Sequence, residues 1–138
     1  MSWLFYAFVS AGAAALTAVL AKIGVEGVPS TLATAIRTVI ITLFAWALTI
    51  GLKEHHAFSG VSRRSLVFLA LSGLATGVSW LAYFRALQLA PASRVAPVDK
   101  LSLPLTIILA ALFLGEPLSW RLGLGVALMT AGAILTIG

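Results

Sequence analysis

Five apolar segments follow one another along this chain of 138 residues, and each is about as long as a helix that crosses a lipid bilayer. The segments cover residues 3–21, 31–52, 65–90, 93–114 and 119–137. Hydrophobic residues make up 61% of the chain and charged residues only 9%, against roughly 25% charge in a typical soluble domain. The sequence therefore predicts an all-α integral membrane protein, a single domain of five transmembrane helices in the lipid bilayer.

The charged residues stand mostly at the ends of these segments. The chain has nine Lys and Arg residues and only four Asp and Glu residues, a basic composition that in a soluble protein suggests binding to nucleic acid. Here we expect the cations to anchor helices and set their orientation, with no nucleic-acid partner. In the predicted topology, four cations border the spans on the side of the membrane that carries the amino terminus, and two or three border them on the other side. This small excess favours a cytoplasmic amino terminus and leaves insertion in both orientations open.

Residue patterns typical of enzymes and metal sites are missing from the sequence. The chain has no cysteine, which excludes disulfides and thiolate chemistry. His55 and His56 are adjacent, cannot share one helix face, and have no carboxylates around them at the spacing of metal ligands. No Ser/His/Asp arrangement or phosphate-binding loop stands out. We predict a protein that is not an enzyme and uses neither a metal nor another cofactor.

Arg37 is the first of three ionisable side chains inside the apolar segments, where such groups are expensive and suggest a functional site or a buried pair. It stands seven residues after Ser30, roughly 10 Å into the second helix at 1.5 Å per residue. Its neighbours on the same helix face include no carboxylate. Its partner must come from another helix or be a backbone carbonyl, water or a ligand, unless the side chain extends to the membrane interface.

Asp99 and Lys100 are the other two ionisable residues of this kind. Lys100 has no counter-ion at its helical neighbours, and a cation near a helix start opposes the helix dipole, so we favour a functional role over anchoring. If Pro97 occupies the first helical position, Asp99 is the third residue, where a carboxylate complements the dipole. A functional role and this structural one are equally well supported for Asp99.

Pro97 and Pro104 predict a broken or kinked fourth helix, because an interior proline removes a backbone hydrogen bond. Discontinuous helices expose backbone groups to substrates in transporters, which makes the segment between the two prolines a candidate substrate site. A plain kink is the alternative. Trp80 and Tyr83 either stack on a substrate or lie at the membrane interface, and the interfacial position is favoured.

Gly73 and Gly77 form a GxxxG pair, a spacing that lets two helices approach closely in lipid. We favour packing inside one subunit over a dimer interface, because the motif is frequent by chance.

Residues 83–120, with the sequence YFRALQLAPASRVAPVDKLSLPLTIILAALFLGEPLSW, closely resemble the end of an EamA-type repeat of the drug/metabolite transporter superfamily. Residues 21–37, AKIGVEGVPSTLATAIR, resemble the first turn of that repeat and the arginine of its second helix. Position by position, Arg37 matches that arginine, Asp99 and Lys100 match the pair that opens the fourth helix, and Glu116 matches the Gly-Glu turn.

The resemblance implies a transporter of small organic metabolites or drug-like solutes in the cytoplasmic membrane of a bacterium or archaeon. Typical members carry two repeats in opposite orientation, ten helices in all, and this chain has one. It is similar to the short five-helix members, which implies pairing with a second copy, antiparallel as in an inverted repeat, or with a homologous subunit. The alternative is a lipid-linked sugar flippase subunit that acts with a partner protein.

A related group, the four-helix small multidrug exporters, exchanges protons at a carboxylate in the first helix. Residues 3–21 contain no carboxylate, so this chain departs from that scheme. From the ionisable and aromatic residues inside the spans, we expect substrate-binding roles for Lys100, Asp99, Arg37, Tyr83 and Trp80.

Overall fold

A computed structural model describes residues 2–137, and these residues form helices and turns with no strand among them. The helices are α1 (Trp3–Gly24), α2 (Ser30–Gly51), α3 (Arg63–Leu89), α4 (Ala92–Asp99), α5 (Ser102–Leu109) and α6 (Trp120–Leu135). A 3₁₀ helix (Glu54–Gly60) follows α2, and a π-helical turn (Ala110–Leu114) extends α5. The predicted all-α fold is confirmed.

Four segments are long and apolar enough to cross a membrane, and they are Trp3–Gly24, Ser30–Gly51, Arg63–Leu89 and Ala92–Leu114. Helix α6 is apolar but has only 16 residues. Four of the five predicted spans are therefore present at membrane length, with the fourth built from α4, α5 and the π-helical turn, and the fifth corresponds to the shorter helix α6. Helix α1 continues three residues past its predicted end, to Gly24.

Local sequence signals explain where several helices begin and end. The backbone N–H of Ser65 donates to Ser62 Oγ at 3.0 Å, and that of Leu122 donates to Ser119 Oγ at 3.2 Å, so serine hydroxyls cap the starts of α3 and α6. Gly115 ends the π-helical turn with φ of 68°, in the left-handed region that favours glycine.

The chain divides into two compact units. One consists of residues 20–88 and contains the end of α1, α2, the 3₁₀ helix and α3. Its most buried residues are Val25, Thr34, Phe84 and Leu87. The other combines the described parts of 1–19 and 89–138, and Ala18, Val95 and Ala133 are buried there.

Large apolar side chains are exposed along every long helix. Phe8 is 74% exposed in α1, Leu43 66% in α2 and Leu74 69% in α3. Apolar surface of this extent is unfavourable in water and is the normal outer surface of a helix in lipid. The chain is an integral membrane protein, and lipid or another subunit covers these faces.

The fourth span is interrupted at Lys100 and Leu101. Helix α4 ends at Asp99, and the next helix starts at Ser102. In between, the N–H of Lys100 donates to Pro97 O at 3.1 Å and that of Leu103 to Lys100 O at 2.9 Å, both with 3₁₀ spacing. A tight 3₁₀-like turn therefore separates two short helices, in the segment where the prolines predict a break.

Candidate functional site

Arg37 lies over an aromatic ring inside the unit formed by residues 20–88. Its guanidinium carbon is 3.4 Å from the centroid of the Trp80 ring and 5.5 Å from that of Phe84. Tyr83 is close enough to interact electrostatically with the same group. A cation this close to an indole face is attracted by the ring quadrupole, and the attraction strengthens where water is excluded. The partner expected from another helix is therefore a set of aromatic rings.

The spacing along two helices explains why these side chains meet. Trp80 and Phe84 are four residues apart in α3, so they share one helix face. The last turn of that helix lies beside the start of α2, because Gln88 Nε2 donates to Val28 O at 2.6 Å. Arg37 is then roughly 10 Å along α2 and Trp80 about 12 Å back along α3, so the two reach the same depth.

The guanidinium of Arg37 has N–H donors that no described residue uses. Among residues 2–137 it makes no ion pair and no hydrogen bond, and its interactions are with Trp80, Phe84 and Tyr83. Arginine carries five N–H donors in one plane, and a ring beneath that plane leaves its edge available. The side chain is partly buried, and none of its nitrogen atoms is enclosed without a partner. Its nitrogen atoms are therefore open to a partner from outside the described residues.

The rings themselves are firmly placed. Phe84 is only 2% exposed, and its centroid is 5.9 Å from that of Trp80 at an interplanar angle of 54°. Tyr83 packs on Phe84 with centroids 6.3 Å apart. Such tilted contacts are the favoured geometry of aromatic pairs. Trp80 and Phe84 thus form an aromatic platform under the cation, and Tyr83 packs beside Phe84.

Polar side chains join the carboxyl end of α3 to the last turn of α1 and to the connection between α1 and α2. Lys22 Nζ donates to the carbonyl oxygen of Leu87, one of the last carbonyls of the helix, which lack partners inside it. Gln88 Nε2 donates to Val28 O and, at 3.5 Å, to Val25 O, while Arg85 donates to Gln88 Oε1 at 3.1 Å. A cation at a helix carboxyl end also complements the helix dipole. We refer to Lys22, Gln88 and the carbonyls they bind as the polar clasp.

Asp99 and Lys100 belong to the other compact unit, where they pair with each other. Lys100 Nζ is 3.5 Å from Asp99 Oδ2, and the two side chains are 55% and 38% exposed, respectively. The sequence offers Lys100 no counter-ion one helical turn away, and in the structure its partner is the preceding residue. An exposed pair of this kind contributes little to stability.

The dipole argument for these two residues is corrected. Pro97 lies inside α4, and Asp99 is the last residue of that helix, with Lys100 as its C-cap. The cation is thus the residue that complements the dipole of α4, and the carboxylate opposes it. The chain starts a helix at Ala92, before Pro97, so this proline is not at a first helical position. Pro104 falls in the first turn of α5, where a proline is tolerated.

Sequence reasoning missed Phe84, Lys22 and Gln88. A signal for Phe84 was present, since it stands four residues after Trp80 on one helix face. Gln88 is a polar residue at the end of an apolar helix, but its partners are backbone oxygens 60 and 63 positions away. The described residues include no group of three or more His, Cys, Asp and Glu that could hold a metal ion.

Comparison with known proteins adds to this geometry. The profile of the EamA-like transporter family matches residues 1–138. The chain belongs to this family. EamA membership agrees with the resemblance seen in residues 83–120 and with the five helical spans.

A curated EamA relative extends the comparison. The "uncharacterized transporter in cobO 3'region" of Sinorhizobium sp is 53% identical over 134 residues, which are 97% of this chain and 95% of that protein. The chain is thus similar to a protein of nearly its own length. No solved structure matches the chain significantly. The EamA assignment makes the chain a transporter protein, and the name of the relative gives no solute.

Proposed function

We propose that this EamA protein transports a small organic solute bearing a negatively charged group, and that Arg37 on the Trp80 ring contacts that group. The observation that carries the proposal is a cation within a membrane span that has aromatic partners and no carboxylate among the described residues. An ionisable group is costly at this depth, and a substrate pathway is a frequent reason for retaining one. The proposed role is transport, with no chemical conversion of the solute.

A second subunit completes the proposed transporter. One five-helix repeat is half of the usual EamA arrangement, and the Sinorhizobium relative has about the same length, since 134 residues are 95% of it. Exposed apolar side chains along the helices leave ample surface for a partner in the membrane. We propose a second copy of the chain in antiparallel orientation, with a homologous subunit as the other candidate, in the bacterial or archaeal cytoplasmic membrane. Near balance of the flanking cations supports the antiparallel arrangement.

The free guanidinium edge also supports a second candidate function, in which a lipid phosphate takes the place of the solute anion. The chain would then act as a subunit of a lipid-linked sugar flippase together with a partner protein. Co-purification with a second small membrane protein would favour this candidate. A homodimer that is active by itself would count against it.

Flux through the purified protein tests the transport proposal. Liposomes containing the chain are assayed with labelled organic acids, amino acids and organic cations, using Arg37→Gln as the test variant. Arg64→Gln is a matched control, because Arg64 also stands over a ring, Phe68 at 5.9 Å, at the start of α3. We expect flux of an acidic solute with the wild type and the control, and at least about tenfold less with Arg37→Gln, equivalent to losing about 1.4 kcal/mol. Absence of flux for every acidic solute would overturn the proposal.

A further inference from the structure

Resting on the proposed function, we infer that the Arg37–Trp80 pair is an oxyanion site that accepts a carboxylate or phosphate at the edge of the guanidinium and rejects organic cations. This inference concerns the class of solute that the site selects. It follows from which surfaces of the arginine are occupied and which are available.

The aromatic platform would, without Arg37, be suited to an organic cation. Trp80 is the best ring for a cation–π contact, and Phe84 lies beside it. In this chain, the guanidinium carbon stands 3.4 Å from the Trp80 centroid and therefore fills that place. A cationic solute would lose the ring and would also meet a like charge at short range. The chain thus carries its own cation where a cationic drug would bind.

The remaining surface of the guanidinium suits a two-oxygen anion. The N–H groups of arginine lie in one plane and match the two oxygens of a carboxylate or phosphate bidentately. With the guanidinium carbon 3.4 Å over the Trp80 centroid, the indole covers one side of the group and leaves its edge for a ligand. No described side chain or carbonyl of residues 2–137 accepts from them. A ligand oxyanion would therefore bind edge-on, coplanar with the guanidinium.

A lysine at position 37 would bind an oxyanion with less geometric selectivity. Its ammonium is a point charge without a preferred plane and cannot form the bidentate pair or stack on the ring. Arg37→Lys therefore retains the charge and removes the geometry. This variant separates recognition by shape from simple electrostatic attraction.

The test uses four probes with the same six-carbon chain and different head groups: hexanoate, hexyl phosphate, hexyltrimethylammonium and hexanol. The protein contains four tryptophans, so replacing Trp3, Trp46 and Trp120 with Phe leaves Trp80 as the only tryptophan, which can be excited selectively over the two tyrosines. Binding of each probe to this full-length chain in a nonionic detergent is followed by the emission of Trp80.

We expect hexanoate or hexyl phosphate to bind at least about tenfold more tightly than hexanol, and hexyltrimethylammonium no more tightly than hexanol. Arg37→Lys should lower the oxyanion affinity about tenfold, and Arg37→Gln should abolish the preference. Arg64→Gln should leave it unchanged. Preference for hexanoate indicates a carboxylate ligand and preference for hexyl phosphate a phosphate ligand; in the second case, flux of a soluble organic phosphate indicates a solute, and its absence indicates a lipid headgroup.

Equal binding of the anion and the alcohol, tighter binding of the cation, or full oxyanion affinity in Arg37→Gln would overturn the inference. Circular dichroism and gel filtration show whether each variant is folded, and Arg37→Lys serves if Arg37→Gln is not. Different results would overturn the transport proposal and this inference. Flux of an acidic solute together with equal or tighter binding of hexyltrimethylammonium removes this inference alone, whereas oxyanion binding without any flux leaves the site and removes transport.

Discussion

The side-chain amide of Gln88 donates to the carbonyl oxygen of Val28 at 2.6 Å, joining the last turn of α3 to the connection before α2 across 60 positions of the chain. This bond sets where α3 ends against the start of α2, and the bond from Lys22 to Leu87 holds the same end of α3 to α1. The depth at which Trp80 meets Arg37 follows from that alignment. The polar clasp is therefore a structural support of the candidate site.

Replacing Gln88 with Leu tests this support. The substitution keeps a side chain of similar size but removes the two hydrogen bonds that Gln88 donates to the carbonyl oxygens of Val25 and Val28. We expect a loss of about 1–2 kcal/mol in the free energy of unfolding and faster amide exchange in residues 25–28. Thermal unfolding in detergent and hydrogen exchange measure the two effects.

Thr76→Val is the matched control for Gln88→Leu. Thr76 lies in the same helix and bonds only within its own turn, to Ser72 O at 2.9 Å. Its replacement should leave the exchange of residues 25–28 unchanged. If both variants behave alike, the clasp does not hold the end of α3.

Trp80 is expected to hold the guanidinium of Arg37 in place. Trp80→Phe should retain part of the cation–π attraction and Trp80→Leu should lose it. A double-mutant cycle between Trp80→Leu and Arg37→Gln, read by thermal unfolding, should give a coupling energy of about 0.5–2 kcal/mol. Trp46→Leu, at an exposed position of α2, is the control. A coupling energy near zero would show that the stacking has no energetic weight.

Lys100 remains a predicted substrate-binding residue. Lys100→Met should abolish transport and leave folded protein in the membrane, because the variant keeps the length of the side chain and removes its charge. Asp99→Asn breaks the same 3.5 Å pair from the other side. Because the pair is exposed, we expect either substitution to change the free energy of unfolding by less than about 1 kcal/mol. Unchanged flux in Lys100→Met would remove this residue from the site.

The GxxxG pair of α3 has no packing partner within its own unit. A Cβ added at Gly73 or Gly77 would meet nothing within 4 Å, although packing inside one subunit was the favoured interpretation of this motif. If α3 forms the contact between two copies, Gly77→Leu should weaken dimerisation about tenfold, by about 1.4 kcal/mol. The same change at Gly123 of α6, an equally open position, is the control. Crosslinking in membranes measures the dimer, and a larger loss in the control variant would place the contact on α6.

The orientation of the chain can be read from its carboxyl terminus. A reporter active only in the cytoplasm and a second one active only outside should both give a signal, because the cations flanking the spans are nearly balanced. Lys53→Gln removes one charge from the amino-terminal side and should shift the ratio of the two signals toward the opposite orientation. A signal from the outside reporter alone would contradict the antiparallel homodimer and direct the search to a homologous partner.

The spans and the position of the helix break follow from the sequence because both depend on local properties. Apolar length determines where a helix can cross the membrane, and the prolines at 97 and 104 mark the interruption that the structure has at Lys100 and Leu101. The depth of Arg37 could be estimated in the same way. These features require no knowledge of what packs against what.

The partners of the charged residues could not be predicted, because they depend on tertiary contacts or on exact helix ends. Trp80 is 43 positions from Arg37 in the sequence, and only the alignment of α2 and α3 brings them together. The dipole argument for Asp99 failed because α4 continues through Pro97. An error of a few residues in a helix boundary is enough to reverse the sign of such an argument.

Helix α6, with 16 residues, measures about 24 Å, some 6 Å less than the roughly 30 Å of a typical hydrocarbon core. This hydrophobic mismatch must be absorbed by the lipid or by the flanking residues. The bilayer around the last helix is therefore expected to be locally thinned, and lipids with shorter acyl chains should accommodate it at lower energy. The thickness of the surrounding membrane thus becomes a variable that acts on the carboxyl-terminal part of the protein.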